Sequence, residues 1–479
     1  MILSANATVT SFSSAVTWET LLQLFIIALA IIAGNLIRRK VWFMMRSLIP
    51  SALIGGLVIL ILKAFPIMNG FIDKQFMEII TYHTLAIGFI AMSLRAPHKS
   101  SKANTLTVIQ TGTLTASTYI IQGVVGLLVT VPLYLWWRNP EIGRDIFYAG
   151  GLLLPMGYGQ GPGQALNFGT IYQNTASDQG ISFFGIDFGL SIAAIGFIVG
   201  SVIGVIYMNI LNRKGRLRMN SDQVIDQHKL SDYESQNELP HAESVDKFTI
   251  VMSIVMFTYF LVYLLMTGIG SLDLGNFGEK TLKPLVYGFN FFWGILFGTL
   301  IRNILKWMRN VNIMHREYLN DFLLNRISGI SFDVMIVAGT AAIDFENLKV
   351  IALPLTIVCL AGAIVTFFYV RAVCRRIYPG YEYEGFFSMF GMLTGTASNG
   401  MILLREIDAR YETPAANNLV LQNIPAMVLG FPILLLLGYA PHGLKATLIT
   451  FAILVVILIA FTIFLFWKKP GKPFVRKRK

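Results

Sequence analysis

The sequence reads as an all-α polytopic membrane protein. It comprises two inverted five-span repeats, each with a re-entrant hairpin, plus one extra C-terminal span, about 11 transmembrane helices in all. Three observations carry that reading. Of 479 residues, 55% are hydrophobic and 13% charged, where a soluble chain has about 25% charged. Uncharged windows of about 20 residues recur, the length an α-helix needs to cross a bilayer. Two further apolar stretches, 145–168 and 384–404, are broken by glycine at corresponding places in the two halves.

In chain order the apolar runs fall at 17–37, 48–65, 79–94, 104–131 and 183–211, the spans of an N-terminal repeat over 1–211. Those of the second repeat, 248–440, fall at 248–266, 284–304, 329–345, 350–373 and 417–439. Residues 441–479 hold the extra span, 444–467, and a basic tail. Between the repeats, 212–247 is polar, mixed in charge and poor in aromatics, which predicts a cytoplasmic linker. Spans one and six begin near 17 and 248, and spans four and nine near 104 and 350. Five crossings is an odd number, so the second repeat enters the membrane upside down.

Lys+Arg (38) outnumber Asp+Glu (26), a net charge of +12. With the N-terminus outside and each hairpin returning to the side it entered, most of these cations fall in inward loops. That orients the chain in the inner (plasma) membrane with a cytoplasmic C-terminus. The surplus then faces anionic lipid, and no nucleic-acid partner is expected. The first sixteen residues hold no Lys or Arg, so span one reads as uncleaved rather than as a signal peptide. Cys359 and Cys374 lie too far apart on one run to bond each other, and the histidines show no metal spacing. With no Walker sequence and no nucleophile–base set, no enzyme is expected.

The first hairpin reads GGLLLPMGYGQGPGQALNFG over 150–169. Each interior glycine costs a helix about 1 kcal/mol, so Gly157, Gly159, Gly161 and Gly163 end it. Pro162 suits the first turn of a new helix, where its missing N–H has no partner to lose. The N–H groups of Gly163, Gln164 and Ala165 then face an anionic group. Freed carbonyls, that of Gly159 among them, suit a small cation. Tyr158, Gln160, Gly161, Gly163 and Gln164 are therefore candidate substrate-binding residues.

The second hairpin, EGFFSMFGMLTGTASNGMILLREID over 384–408, breaks at Gly391, Gly395 and Gly400. Thr394, Gly395, Thr396, Ser398 and Asn399 crowd its turn as candidate substrate contacts. Their hydroxyl and amide groups are expected to cap the restarting helix or offer oxygens to sodium. Arg405, just beyond, could meet a carboxylate. Asp187 and Asp333 are intramembrane acids, which usually mark ion paths, and with Asn423 in the polar opening of span ten they complete the ion-binding candidates. His83 reads as a satisfied core group. Inverted halves with glycine-broken segments at matching places are a transporter signature, with the breaks at the binding site.

At these residues the chain resembles the bacterial glutamate:sodium symporter family over about 17–440. The resemblance rests on the two glycine-rich strings, on the short third span ending AMSLRA and on IGFIVGSVIG in span five. The family's Gly-Gly-His-Gly-Thr-type first hairpin is altered here to Tyr158, Gln160 and Gln164, marking a divergent member. The resemblance implies a homodimer that moves glutamate, or a related small anionic amino acid or dicarboxylate, with Na+ as coupling ion and no cofactor. It also implies an elevator motion, with spans one, two, six and seven as scaffold and spans three to five and eight to ten, with the hairpins, carrying substrate. The alternative is a proton-coupled or exchanging hydroxycarboxylate carrier.

Overall fold

In hydrocarbon every backbone N–H and C=O must be bonded inside the protein, and a helix does this within its own segment. A computed structural model describes residues 15–65, 71–95, 104–136, 146–217, 241–273, 275, 278–314, 318–408 and 412–467. Among the described residues all regular structure is helical, with no strand.

The first half holds α1 (Ala15–Lys40), α2 (Trp42–Ser47), α3 (Ser51–Lys63), α4 (Lys74–Leu94) and α5 (Thr105–Trp136). A 3-10 turn (Tyr148–Leu152), α6 (Leu153–Gln160), α7 (Pro162–Asp178) and α8 (Gly185–Arg213) follow. The second half holds α9 (His241–Gly270), α10 (Lys283–Gly288), α11 (Asn290–Asn310), α12 (Asp321–Ala341) and α13 (Phe345–Ile377). It continues with α14 (Glu382–Leu393), α15 (Ala397–Arg405), α16 (Ala415–Leu421) and α17 (Asn423–Tyr439), before α18 (Leu444–Trp467). Side-chain caps start three of the spans: Asp73, Asn320 and Asp344 accept from the N–H groups of Gln75, Leu323 and Glu346.

Every expected run is occupied by helix, and among the described residues nine helices are long and apolar enough to cross a membrane. Two expected spans fall short of that standard. The second, Ser51–Lys63, has only 13 residues, about 20 Å at 1.5 Å per residue. The seventh is divided at Phe289 into α10 and α11, and Arg302, Lys306 and Arg309 lower the hydropathy of α11. Most of the linker 212–247, the basic tail beyond Trp467 and the first fourteen residues lie outside the described residues.

Two groups of helices meet along the molecule. In one, α4 and α12 pack on each other, with Gly88 against the Phe332 ring. Outside them, α3 sets Gly56 on Thr340 of α12, and α11 sets Gly298 on Ser93 of α4. Ile90 and Leu94 of α4, Val251 and Val255 of α9, and Leu324 and Ile327 of α12 form one buried cluster. Spans three and eight therefore pack with spans two, six and seven. In the other group, α5, α8 and α13 pack on both broken segments and α18 on the start of the first, while α7 also packs on α4 and α12. Apolar side chains on α1 and α18, such as Leu29 and Val456, stay exposed, as a lipid-facing surface requires.

Candidate functional site

Glycine ends α6, and proline starts α7 one residue later. Gly161, between them, takes φ 80° and ψ −172°, a conformation essentially reserved for glycine. The chain turns back there: Phe147 before α6 lies 6.1 Å, ring to ring, from Tyr172 near the end of α7. The second broken segment folds likewise. Gly391 of α14 and Gly400 of α15 are so close that a Cβ on Gly391 would lie 2.8 Å from the Cα of Gly400. Thr394, Gly395 and Thr396 form the turn.

The two turns meet. A Cβ on Gly161 would lie 3.4 Å from Cγ2 of Thr396 and 3.8 Å from the carbonyl oxygen of Gly395. Both turns also press on α8. A Cβ on Gly196 would lie 2.6 Å from the Thr394 carbonyl oxygen and 2.8 Å from the Tyr158 ring. The first hairpin packs on α8 before this point, Gly157 on Ile192 and Ala165 on Gly189, and the second after it, Leu403 on Gly204. They thus approach from opposite ends of α8 and touch near its middle.

Convergence of the turns brings four helix ends together. Gly161 and Thr396 are the N-cap residues of α7 and α15, so two positive dipole ends share one place. The C-terminal ends of α6 and α14 arrive with them and supply negative ends. Two side chains of α5 hold these C-termini. Tyr119 Oη donates to the Gly159 carbonyl at 3.1 Å, and Gln122 Nε2 donates to the Leu393 carbonyl at 3.0 Å and to Thr366 Oγ1 at 2.9 Å. The backbone N–H of Ala165 bonds the Gly161 carbonyl at 3.2 Å. Of the three N–H groups expected to face an anion, it is therefore committed to the helix.

Several buried polar atoms around the turns have no hydrogen-bond partner among the described residues: both amide atoms of Gln164, Nδ2 of Asn399, Oε1 of Gln122 and Oγ of Ser191. Gln164, Asn399 and Gln122 are at most 1% exposed. Leaving such a group unsatisfied costs about 1–3 kcal/mol. Asn399 Oδ1 is fixed by Ser201 Oγ at 3.2 Å, which leaves its Nδ2 as the available donor. Thr396 makes no side-chain cap, and Thr394 Oγ1 bonds back to the Phe390 carbonyl at 2.7 Å, so the expected capping by hydroxyl groups does not occur. The backbone N–H groups at the start of α15 stay without that partner.

Other candidates sit elsewhere in the fold. Tyr158 keeps its ring beside Gly196, but its hydroxyl is committed to the Cys359 carbonyl at 2.9 Å. Gly163 packs on Leu85 and Met335, Gln160 is half-buried and Ser398 is exposed. Arg405 is exposed at the far end of α15, nine residues from Thr396. Asp187 begins α8, about 13 Å along the helix from Gly196. Its carboxylate is buried and takes both Lys74 contacts at 3.0 Å, the Asp344 N–H at 2.9 Å and Asn347 Nδ2 at 2.8 Å. Asp333 is on an exposed face of α12. Asn423 is exposed, and its Oδ1 accepts from Gln422 Nε2 at 2.8 Å. His83 binds the Tyr259 hydroxyl at 2.6 Å.

Reading by motif passed over Tyr119 and Gln122, and gave Gly196 and Gly200, inside IGFIVGSVIG, no place at the site. Their signals were present: TGTLTASTYIIQG is unusually polar for a span, and Gly196 and Gly200 have small-xxx-small spacing. Among the described residues no three His, Cys, Asp or Glu side chains gather as metal ligands. A cation at the turns would be held by neutral oxygens, which suits sodium better than a transition metal.

No curated protein and no solved structure matches the chain. A family model described as sodium/glutamate symporter matches residues 16–411. With that match over most of its length, and with its broken hairpins touching inside a bundle of membrane-spanning helices, the chain belongs to the sodium/glutamate symporter family and is a sodium-coupled transporter rather than an enzyme.

Proposed function

We propose that the hairpin turns are the transport site, where glutamate or a closely related small anionic amino acid or dicarboxylate travels with Na+. The observation that carries this is the contact of Gly161 with Thr396. It sets the N-terminal ends of α7 and α15 at one place, a field that favours an anion. The C-terminal ends of α6 and α14 arrive there too and favour a cation, so one constellation of dipoles suits both travellers. The orphan amides of Gln164 and Asn399 supply neutral hydrogen bonds that orient the solute. Asp187 and Asp333, away from the turns, serve the ion path only at a distance.

The hairpins are re-entrant on this reading, each returning to the side it entered, and the bundle holding them moves as one body past a scaffold in a homodimer. Spans three and eight would travel with the hairpins, since Leu85 of α4 and Met335 of α12 pack on Gly163, while their contacts with α3 and α11 form the boundary with the scaffold. Alternating exposure of the turns then needs no rearrangement inside the hairpins. The test is uptake into liposomes under an imposed sodium gradient, with a panel of amino acids and dicarboxylates. Sodium-dependent accumulation of glutamate or a near relative is expected. Uptake driven by external acid without sodium would replace sodium by protons, and no uptake of any carboxylate would end the reading.

A further inference from the structure

Arg371, in the last turns of α13, is 6% exposed. A buried guanidinium carries a desolvation cost of several kcal/mol unless charge and hydrogen bonds offset it. Here the offset is partial. The ring of Tyr383 lies 4.4 Å from Cζ and that of Phe386 5.8 Å, both at cation–π range. Nε donates to the Tyr207 hydroxyl at 3.1 Å. Nη1 is buried with no acceptor. Among the described residues no carboxylate forms an ion pair with Arg371.

The surroundings indicate what completes it. Tyr207 belongs to α8, and its neighbour Ile206 is 53% exposed, while Phe368, one turn before Arg371 on α13, is 66% exposed. An apolar, outward-facing surface therefore runs over the helix pair that buries the guanidinium. Both helices also end in cations at this level: Arg213 closes α8, and Arg375 and Arg376 close α13. Acyl-chain surface above, basic helix ends beside and an unfilled guanidinium donor beneath are the complement of one molecule. A basic pocket between membrane helices, near their charged ends, is a place for an anionic headgroup, and guanidinium is the side chain best shaped to grip a phosphate.

We propose that Arg371 is the anchor of a binding site for an anionic phospholipid, seated between α8 and α13 with its phosphate on the guanidinium. The site is separate from the hairpin turns, and the bound lipid braces the base of α14 through Tyr383 and Phe386.

The test uses full-length protein purified in mild detergent, with bound lipid counted by native mass spectrometry after exchange into phosphatidylglycerol or phosphatidylcholine. Wild type is expected to retain phosphatidylglycerol selectively. Arg371→Gln should lose at least about fivefold of that retention, the effect of one basic residue at a membrane surface. Arg371→Lys keeps the charge but not the fork, so it should fold and show a smaller loss even if the glutamine variant does not fold. Equal retention by wild type and Arg371→Lys, alongside folded Arg371→Gln that also retains the lipid, overturns the proposal. So does displacement of the lipid by inorganic phosphate or a free dicarboxylate. Loss of retention in Arg375→Gln/Arg376→Gln but not in Arg371→Gln also overturns it, since the attraction would then belong to the surface cations.

Discussion

Lys63 and Arg302 make the same bonds at equivalent places in the two halves. Lys63 Nζ, at the end of α3, donates to the carbonyls of Ala341 and Ile343 at 3.0 Å, where α12 ends. Arg302 Nη1, on α11, donates to the carbonyls of Ser93 and Arg95 at 3.0 and 2.9 Å, where α4 ends. Each is a cation from span two or seven set on the free carbonyls that close span eight or three. A helix C-terminus leaves such carbonyls unsatisfied and carries negative potential, so one side chain meets both needs.

Removing either cation should loosen the junction it closes. Lys63→Met and Arg302→Met are each expected to lower stability by about 1.5–3 kcal/mol, the range of a hydrogen bond to a charged group. Thermal unfolding in detergent measures this. A change in neither variant would mean that water replaces both cations without loss.

Gly161 cannot be replaced without strain, because a side chain at φ 80° is disfavoured and would face Thr396. Gly161→Leu and Gly395→Leu are expected to abolish uptake while the protein still reaches the membrane. Gly161→Ala should reduce uptake at least about fivefold, the lower end of the 1–3 kcal/mol of a strained residue. Wild-type uptake by the leucine variants, measured in proteoliposomes at matched protein, would reduce the turns to packing.

The α5 side chains that bind the hairpin C-termini are testable together. Tyr119→Phe releases the Gly159 carbonyl, and Gln122→Leu releases that of Leu393. Each should cost about 1–3 kcal/mol, because a buried carbonyl loses its donor. The double variant should show coupling, since both turns share one meeting point. A strictly additive loss in thermal unfolding would separate the two hairpins energetically.

At the start of α8, Lys74 and Asp187 form a pair whose acid is buried while the lysine side chain is 33% exposed. Asp187→Asn is expected to destabilise more than Lys74→Met. The acid also holds the Asp344 N–H and the Asn347 amide, whereas water can reach the site of the lost lysine. If sodium affinity in transport assays fell while stability did not, Asp187 would belong to the ion path instead.

Broken helices were legible in the sequence because their cause is local. Gly157 to Gly163, with Pro162, mark the region of the break, although only Gly161 leaves the helical conformation. Gly157 and Gly159 stay inside α6, where packing on α8 and α5 holds them helical, and Gly163 stays inside α7, packed on α4 and α12. Span positions were equally legible, since hydropathy acts over one segment at a time. The partner of Asp187 was not legible, for the opposite reason. An acid in an apolar run looks the same whether it holds an ion or a lysine from another helix, and only packing brought Lys74 to it. Arg371 went unnoticed because nothing in its own segment says that Tyr207, Tyr383 and Phe386 enclose it.

By itself the sequence determined where the chain crosses, where it breaks and that its two halves share one order of elements. These follow from side-chain polarity and backbone freedom within about 20 residues. Tertiary structure alone decided that the two breaks touch, that Tyr119 and Gln122 hold them, and which charges are paired, orphaned or exposed. Those outcomes depend on contacts between residues far apart in the chain, such as Gly161 and Thr396, and no property of either segment specifies its neighbour.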